Sequence, residues 1–290
     1  MSARSKSRFR FVQLDVPGRL GLDDGRYLVR DDRGTEQAVV VVQTLGRAAP
    51  ARRPRRQRRA RRVDPDANET EVPITRLTVI PAEPSEPDSA TRELQRAARD
   101  AELAEVEVTA ALRTVNEVLR AHRIATADPY GHEIGREAPV ATRLGVGTGE
   151  GLAEGRWEEA FEIRPPEQRW RRAQALRPQE RVAAVLAGRE PIDVCETLLL
   201  RARADLDQGH AREGALQLRA GLDALLAELP EQAGPDQEED LAALRERRET
   251  TARAAEEALG AELSPERTGE VAETLAICER VLRRRQILRG

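Results

Sequence analysis

The chain is poor in the residues that most directed chemistry needs. Its 290 residues include two cysteines, three histidines, three Phe, two Tyr and two Trp. Lys6 is the only lysine, and the other 47 basic residues are arginine. A Schiff-base lysine, a phosphate-loop lysine or a lysine general base would have to be Lys6, so those mechanisms are excluded for the body of the protein. Cys195 and Cys278 are too few for a disulfide framework and have no metal-ligand spacing, which makes a reducing cytoplasm the expected location. Apolar runs are short. The best is A-V-V-V-V at 38–42, far below the ~18–20 residues of a membrane-spanning helix. The basic stretch 1–10 is followed by polar and apolar residues in alternation rather than by the apolar core of a secretory signal. No membrane association is expected.

Charge is abundant but unevenly placed. The formal net charge of -3 combines +11 over residues 1–62 with -14 over residues 63–290. Much of the positive charge lies in one run, Arg47, Arg52, Arg53, Arg55, Arg56, Arg58, Arg59, Arg61 and Arg62, with no acid and no large apolar residue among them after Arg47. Repulsion and the lack of apolar mass argue against a folded element there. Residues 47–71 therefore read as a linker, arginine-rich and then acidic.

On either side the hydrophobic pattern is β-like. Val12, Leu14 and Val16 alternate with Gln13 and Asp15, the period of a half-buried strand. Phe9 and Phe11 alternate in the opposite phase, which implies either a bulge or apolar groups on both faces. Further strands are expected at 27–29 and 38–42, and a set this small needs another strand, for which I-T-R-L-T-V-I at 74–80 is the candidate. From Ser89, read as an N-cap, the spacing turns helical. Leu94, Ala97, Ala101, Ala104, Val108, Ala111, Val115 and Val118 form one stripe. Residues 139–163 read as irregular, and helices are expected near 178–187, 192–207, 211–228, 236–259 and 265–288. Capping boxes at Asp193–Glu196 and Asp236–Glu239, and Ser264-Pro265-Glu266, mark helix starts. Cys278 shares a stripe with Val271, Leu275 and Leu282 and reads as a core residue.

The expected fold class is thus α+β and mostly α. A small antiparallel β module at 1–46, completed by 72–80, precedes the linker. A long amphipathic helix with a Gly-rich centre follows at 89–163, and then an antiparallel helical bundle at 164–290.

Chemical motifs are sparse. The segment G-V-G-T-G-E-G at 145–151 has no register of a dinucleotide fingerprint, no following Gly-Lys-Ser/Thr, and acids where phosphate would sit. As a strand it would set Gly145, Gly147 and Gly149 on one bare face, a packing surface or docking groove that Trp157 is placed to cover. His122, Asp128, His132 and Glu133 fall within twelve residues but match no zinc spacing. No catalytic, cofactor or metal residue is assigned. An enzyme built around 122–163 would draw on His122, Asp128, Tyr130, His132 and Glu150.

Residues 195–229 (C-E-T-L-L-L-R-A-R-A-D-L-D-Q-G-H-A-R-E-G-A-L-Q-L-R-A-G-L-D-A-L-L-A-E-L) resemble a tetratricopeptide-type helical hairpin. Ala202, Gly209, Gly214 and Gly221 supply small residues where helices of that repeat touch and turn, and Leu218 its large apolar one. The resemblance covers one hairpin and implies a surface for partner peptides. The same stretch is similar to helices of HEPN-type four-helix domains, with Arg203 and His210 at the spacing of their R-x(4–6)-H motif, here straddling the Gln208-Gly209 turn. The reading drawn from all this is a non-catalytic interaction protein that docks a protein partner, or another copy of itself, through its helical domain. Nucleic-acid binding through 47–62 is the alternative.

The linker reading predicts that duplex DNA and single-stranded RNA bind weakly, or equally with and without residues 47–62. A salt slope near about -8, at ~0.9 per phosphate engaged, lost on that deletion, would instead make the run a nucleic-acid arm.

Overall fold

A strand whose neighbours lie on both edges, and whose two faces both carry apolar residues, belongs in the middle of a covered sheet. That is the position of β1 (Arg8–Pro17) in the computed structural model, which describes residues 7–31, 33–46, 72–164, 178–228 and 235–289. The chain divides into two compact units, residues 1–166 and 167–290.

In the first unit β1 joins β2 (Gly25–Arg30), β3 (Glu36–Leu45), β4 (Ile74–Pro81), β5 (Ala141–Thr148) and β6 (Glu159–Glu162). All pairs are antiparallel and the order is β2-β3-β4-β1-β5-β6. The register from Arg8↔Thr148 to Asp15↔Ala141 runs without a shift, so β1 has no bulge and the phase change at Phe11–Val12 reflects apolar groups on both faces. Val12, Leu14 and Val16 pack under α1 (Pro87–Arg99) and α2 (Ala101–Thr126), with Val40, Val42, Leu77, Val79, Leu144 and Val146 beside them. Phe11 packs on the other face with Val41, Ile80 and Leu152, the last from the short α3 (Gly149–Ala153). The outer strands carry Arg26 and Arg30 on β2 and Glu159 and Glu162 on β6, charges that discourage edge-to-edge pairing.

Three sequence expectations are corrected here. The Gly-rich centre is not irregular: it supplies β5, α3 and β6, and the sheet therefore contains residues 141–162 as well as the N-terminal strands. Bare glycines weaken the strand signal, because alternation cannot be seen where one face has no side chains. The amphipathic stripe is also two helices rather than one. Asp100, extended at φ -121° and ψ 104°, ends α1 and caps α2 by accepting from the N–H groups of Glu102 (3.0 Å) and Leu103 (3.2 Å). The stripe resumes in phase after this single residue, so periodicity alone does not reveal the break. Ser89 lies inside α1, whose first residue is Pro87, and its hydroxyl donates to Glu93.

The second unit holds α4 (Pro178–Leu186), α5 (Val194–Gln208), α6 (Ala211–Glu228), α7 (Pro235–Gly260) and α8 (Pro265–Arg289). Its core draws Cys195, Leu199 and Ala202 from α5, Leu218, Leu222 and Leu225 from α6, Leu241 and Leu244 from α7, and Leu275, Cys278 and Val281 from α8. α5 and α6 form a tight antiparallel hairpin about Gly209, left-handed at φ 86°. A Cβ on Gly221 would stand 2.9 Å from Leu199, and one on Gly214 2.9 Å from Leu206, so both glycines permit close helix approach. The N–H of Arg267 donates to Ser264 Oγ at the start of α8, whereas α7 begins at Pro235 and takes Asp236 into its first turn.

Between α2 and β5 the chain is pinned by Asn116, which is fully buried. Its amide donates to the carbonyl of Ile134 (3.0 Å) and accepts from the Ile134 N–H (2.8 Å). Asn116→Ala strands both groups in a buried setting and is expected to cost about 3 kcal/mol in a urea melt. Loss of under ~1 kcal/mol would show that the loop repacks.

Candidate functional surfaces

The second face of the sheet has an apolar half and a polar half. In the apolar half the three glycines meet the chain's own aromatic residues. A Cβ on Gly145 would lie 2.5 Å from the Phe11 ring and 2.6 Å from the carbonyl oxygen of Glu159. One on Gly147 would meet Leu152 (3.0 Å) and the Trp157 backbone (3.3 Å). Gly149 opens α3 rather than continuing the strand, and lies against the Phe9 ring. Trp157 tilts over Phe11 at 6.0 Å between ring centres and stays 39% exposed. The bare face is thus filled by Phe9, Phe11 and Leu152, with Trp157 at its outer margin.

In the polar half Gln13, Asp15 and Thr78 are buried at 1%, 5% and 1% exposure. Arg76 grips Asp15 with two hydrogen bonds (2.8 and 2.9 Å), and Arg143 donates to both Asp15 (2.7 Å) and Gln13 (3.2 Å). Gln13 in turn donates to Thr78 (3.2 Å). Burial by itself raises the Asp15 pKa, but the hydrogen bonds and charges of Arg76 and Arg143 outweigh it and hold the carboxyl below its ordinary 3.8. A period-2 strand pattern assigns Gln13 and Asp15 to solvent, which is why sequence reasoning passed over this cluster. Arg76 and Arg143 are visible in the sequence, but only the strand pairing sets them beside Asp15 and Gln13.

In the helical unit the start of α5 is held from several directions. Glu228, at the end of α6, accepts from the N–H groups of Val194 and Cys195, both at 3.2 Å. Asp193 pairs with Arg285 of α8, and Glu196 reaches back to the Asp193 N–H (3.3 Å). Arg203 forks onto Glu279 (2.7 and 2.9 Å), and Arg212 donates to the final carbonyls of α7, Ala258 (2.6 Å) and Leu259 (3.2 Å). Both cysteines are fully buried. Burial, with the neighbouring Glu228 adding to it, pushes the Cys195 thiol up to about 12, and burial pushes Cys278 up to about 12. Neither is a thiolate at neutral pH.

Beside this anchored helix start lies an element of opposite character. α4 buries none of its nine residues. Val182, Val185 and Leu186 recur at helical spacing, and Val182 and Leu186 are 52% and 83% exposed. Arg181 ties α4 to Glu196 (2.6 Å) and Glu190 (3.6 Å). Ile192 and Val194, at the mouth of α5, are 66% and 59% exposed.

The remaining sequence candidates are dispersed. Arg47, Arg52, Arg53, Arg55, Arg56, Arg58, Arg59, Arg61 and Arg62 lie outside the described residues. His122 lies on α2, Asp128, Tyr130, His132 and Glu133 on the connection to β5, and Glu150 on α3. Among the described residues no three His, Cys, Asp or Glu side chains are grouped to hold a metal ion, and no helix is long and apolar enough to cross a membrane. No family model, no curated protein and no solved structure significantly matches this chain.

Two outcomes test the sheet face. Gly145→Ala is expected to cost about 3 kcal/mol, because the new methyl meets a backbone oxygen as well as a ring, whereas a cost under ~0.5 kcal/mol would refute the close packing. Asp15 has a depressed folded pKa, so its stabilisation is fully present above pH 3.8 and is lost as the pH falls through the folded value. Asp15→Asn should lower stability at pH 7 and flatten the acid limb of a pH–stability curve, and an unchanged acid limb would refute that assignment.

Proposed function

We propose that this chain is a non-catalytic interaction protein that docks a protein partner through its helical unit, with α4 and the mouth of α5 as the contact surface. The observation that carries the reading is α4 itself. Isolated helices shorter than ~12–15 residues are marginal in water. α4 has nine residues, an apolar stripe and no buried side chain, so its own sequence gives it little reason to persist uncovered. The stripe lies close in sequence to Ile192 and Val194, which are exposed on a helix start fixed by Glu228, Asp193 and Arg285. Exposed apolar anchors on a rigid base are the usual makings of an interface hot spot. The resemblance of residues 195–229 to a tetratricopeptide-type hairpin is in keeping with the same reading, and that stretch folds as the antiparallel pair α5 and α6.

A second reading, nucleic-acid binding through Arg47–Arg62, rests on the +11 charge of residues 1–62. The salt titration with and without that run separates it from the first.

The test of the first reading is the double variant Leu186→Asp/Ile192→Asp in the full chain. Fully burying one such side chain is worth about 1.5–3 kcal/mol, so partner affinity should fall at least about tenfold. The unfolding free energy from a denaturant melt should stay within ~0.5 kcal/mol of the parent, because neither residue belongs to the core. Sedimentation of parent and variant identifies the case in which the partner is a second copy. Retention of every partner, and of the parent's oligomeric state, by a folded double variant would overturn the reading.

A further inference from the structure

We draw no further inference here: the strongest candidate, the cavity of about 330 Å³ between α7 and α8 lined by Arg247, Thr251, Glu270, Glu273 and Thr274, carries nothing, because Arg267 and Arg247 already neutralise its carboxylates, its buried threonine hydroxyls donate to the Arg247 and Glu270 carbonyls of their own helices, and nothing in the structure shows what fills it.

Discussion

Burial of β1 on both faces is the constraint from which the first unit follows. Val12, Leu14 and Val16 meet two helices, Phe9 and Phe11 meet α3 and the loop beyond it, and Gln13 and Asp15 are buried against side chains of the flanking strands. A strand covered on one face alone could leave Gln13 and Asp15 in water. Covered on both, it must provide each with partners, because an unpaired buried carboxylate costs several kcal/mol. Arg76 from β4 and Arg143 from β5 answer that need from the two strands that flank β1. The central strand is thereby joined to its neighbours twice, by the backbone ladder and by side chains across it.

Scarcity of aromatic mass shapes the rest of that face. Phe9, Phe11 and Trp157 gather where β5 offers glycine, so ring surface fills the space that side chains on alternate positions would otherwise take. The same economy governs the helical unit, where Ala202, Ala215, Ala254 and Ala258 are buried and Gly214 and Gly221 admit leucines. Close approach substitutes for bulk. It also makes these positions intolerant of a single added methyl, which is a packing property rather than a mark of chemistry.

Arginine as almost the sole cation has a structural reading too. A guanidinium holds a carboxylate with two parallel bonds and remains charged when partly buried, where an ammonium would titrate. Arg76 on Asp15 and Arg203 on Glu279 use that fork, while Arg136 shares one Nε–H between both oxygens of Glu105. Much of the fold was legible because local rules are enough for it. Alternation located β1, and helix starts at Asp193 and Ser264 were visible as caps. The sites were less legible because they depend on pairing. No single strand says that positions 15, 76 and 143 are neighbours, and a Gly-rich run hides its strand by removing the side chains that would alternate. Asp100 was hidden for the opposite reason, since the stripe on either side of it keeps its phase.

The contrast within the helical unit is what gives α4 its weight. Each of α5 to α8 contributes buried residues to one core, and the N-terminal N–H groups of α5 are answered by Glu228 without any help from α4. Removing α4 would therefore leave that core intact, although Arg181 of α4 also bonds Glu196, the residue that completes the cap. Its attachments include Arg181, which pairs with Glu190 and with the largely buried Glu196, and the half-buried Ala184 and Val185. α4 thus keeps an apolar stripe at regular spacing, with Val182 and Leu186 exposed, while adding no buried residue to the core of its unit. At the adjoining start of α5, Glu228 holds the Val194 N–H while the side chains of Ile192 and Val194 stay exposed.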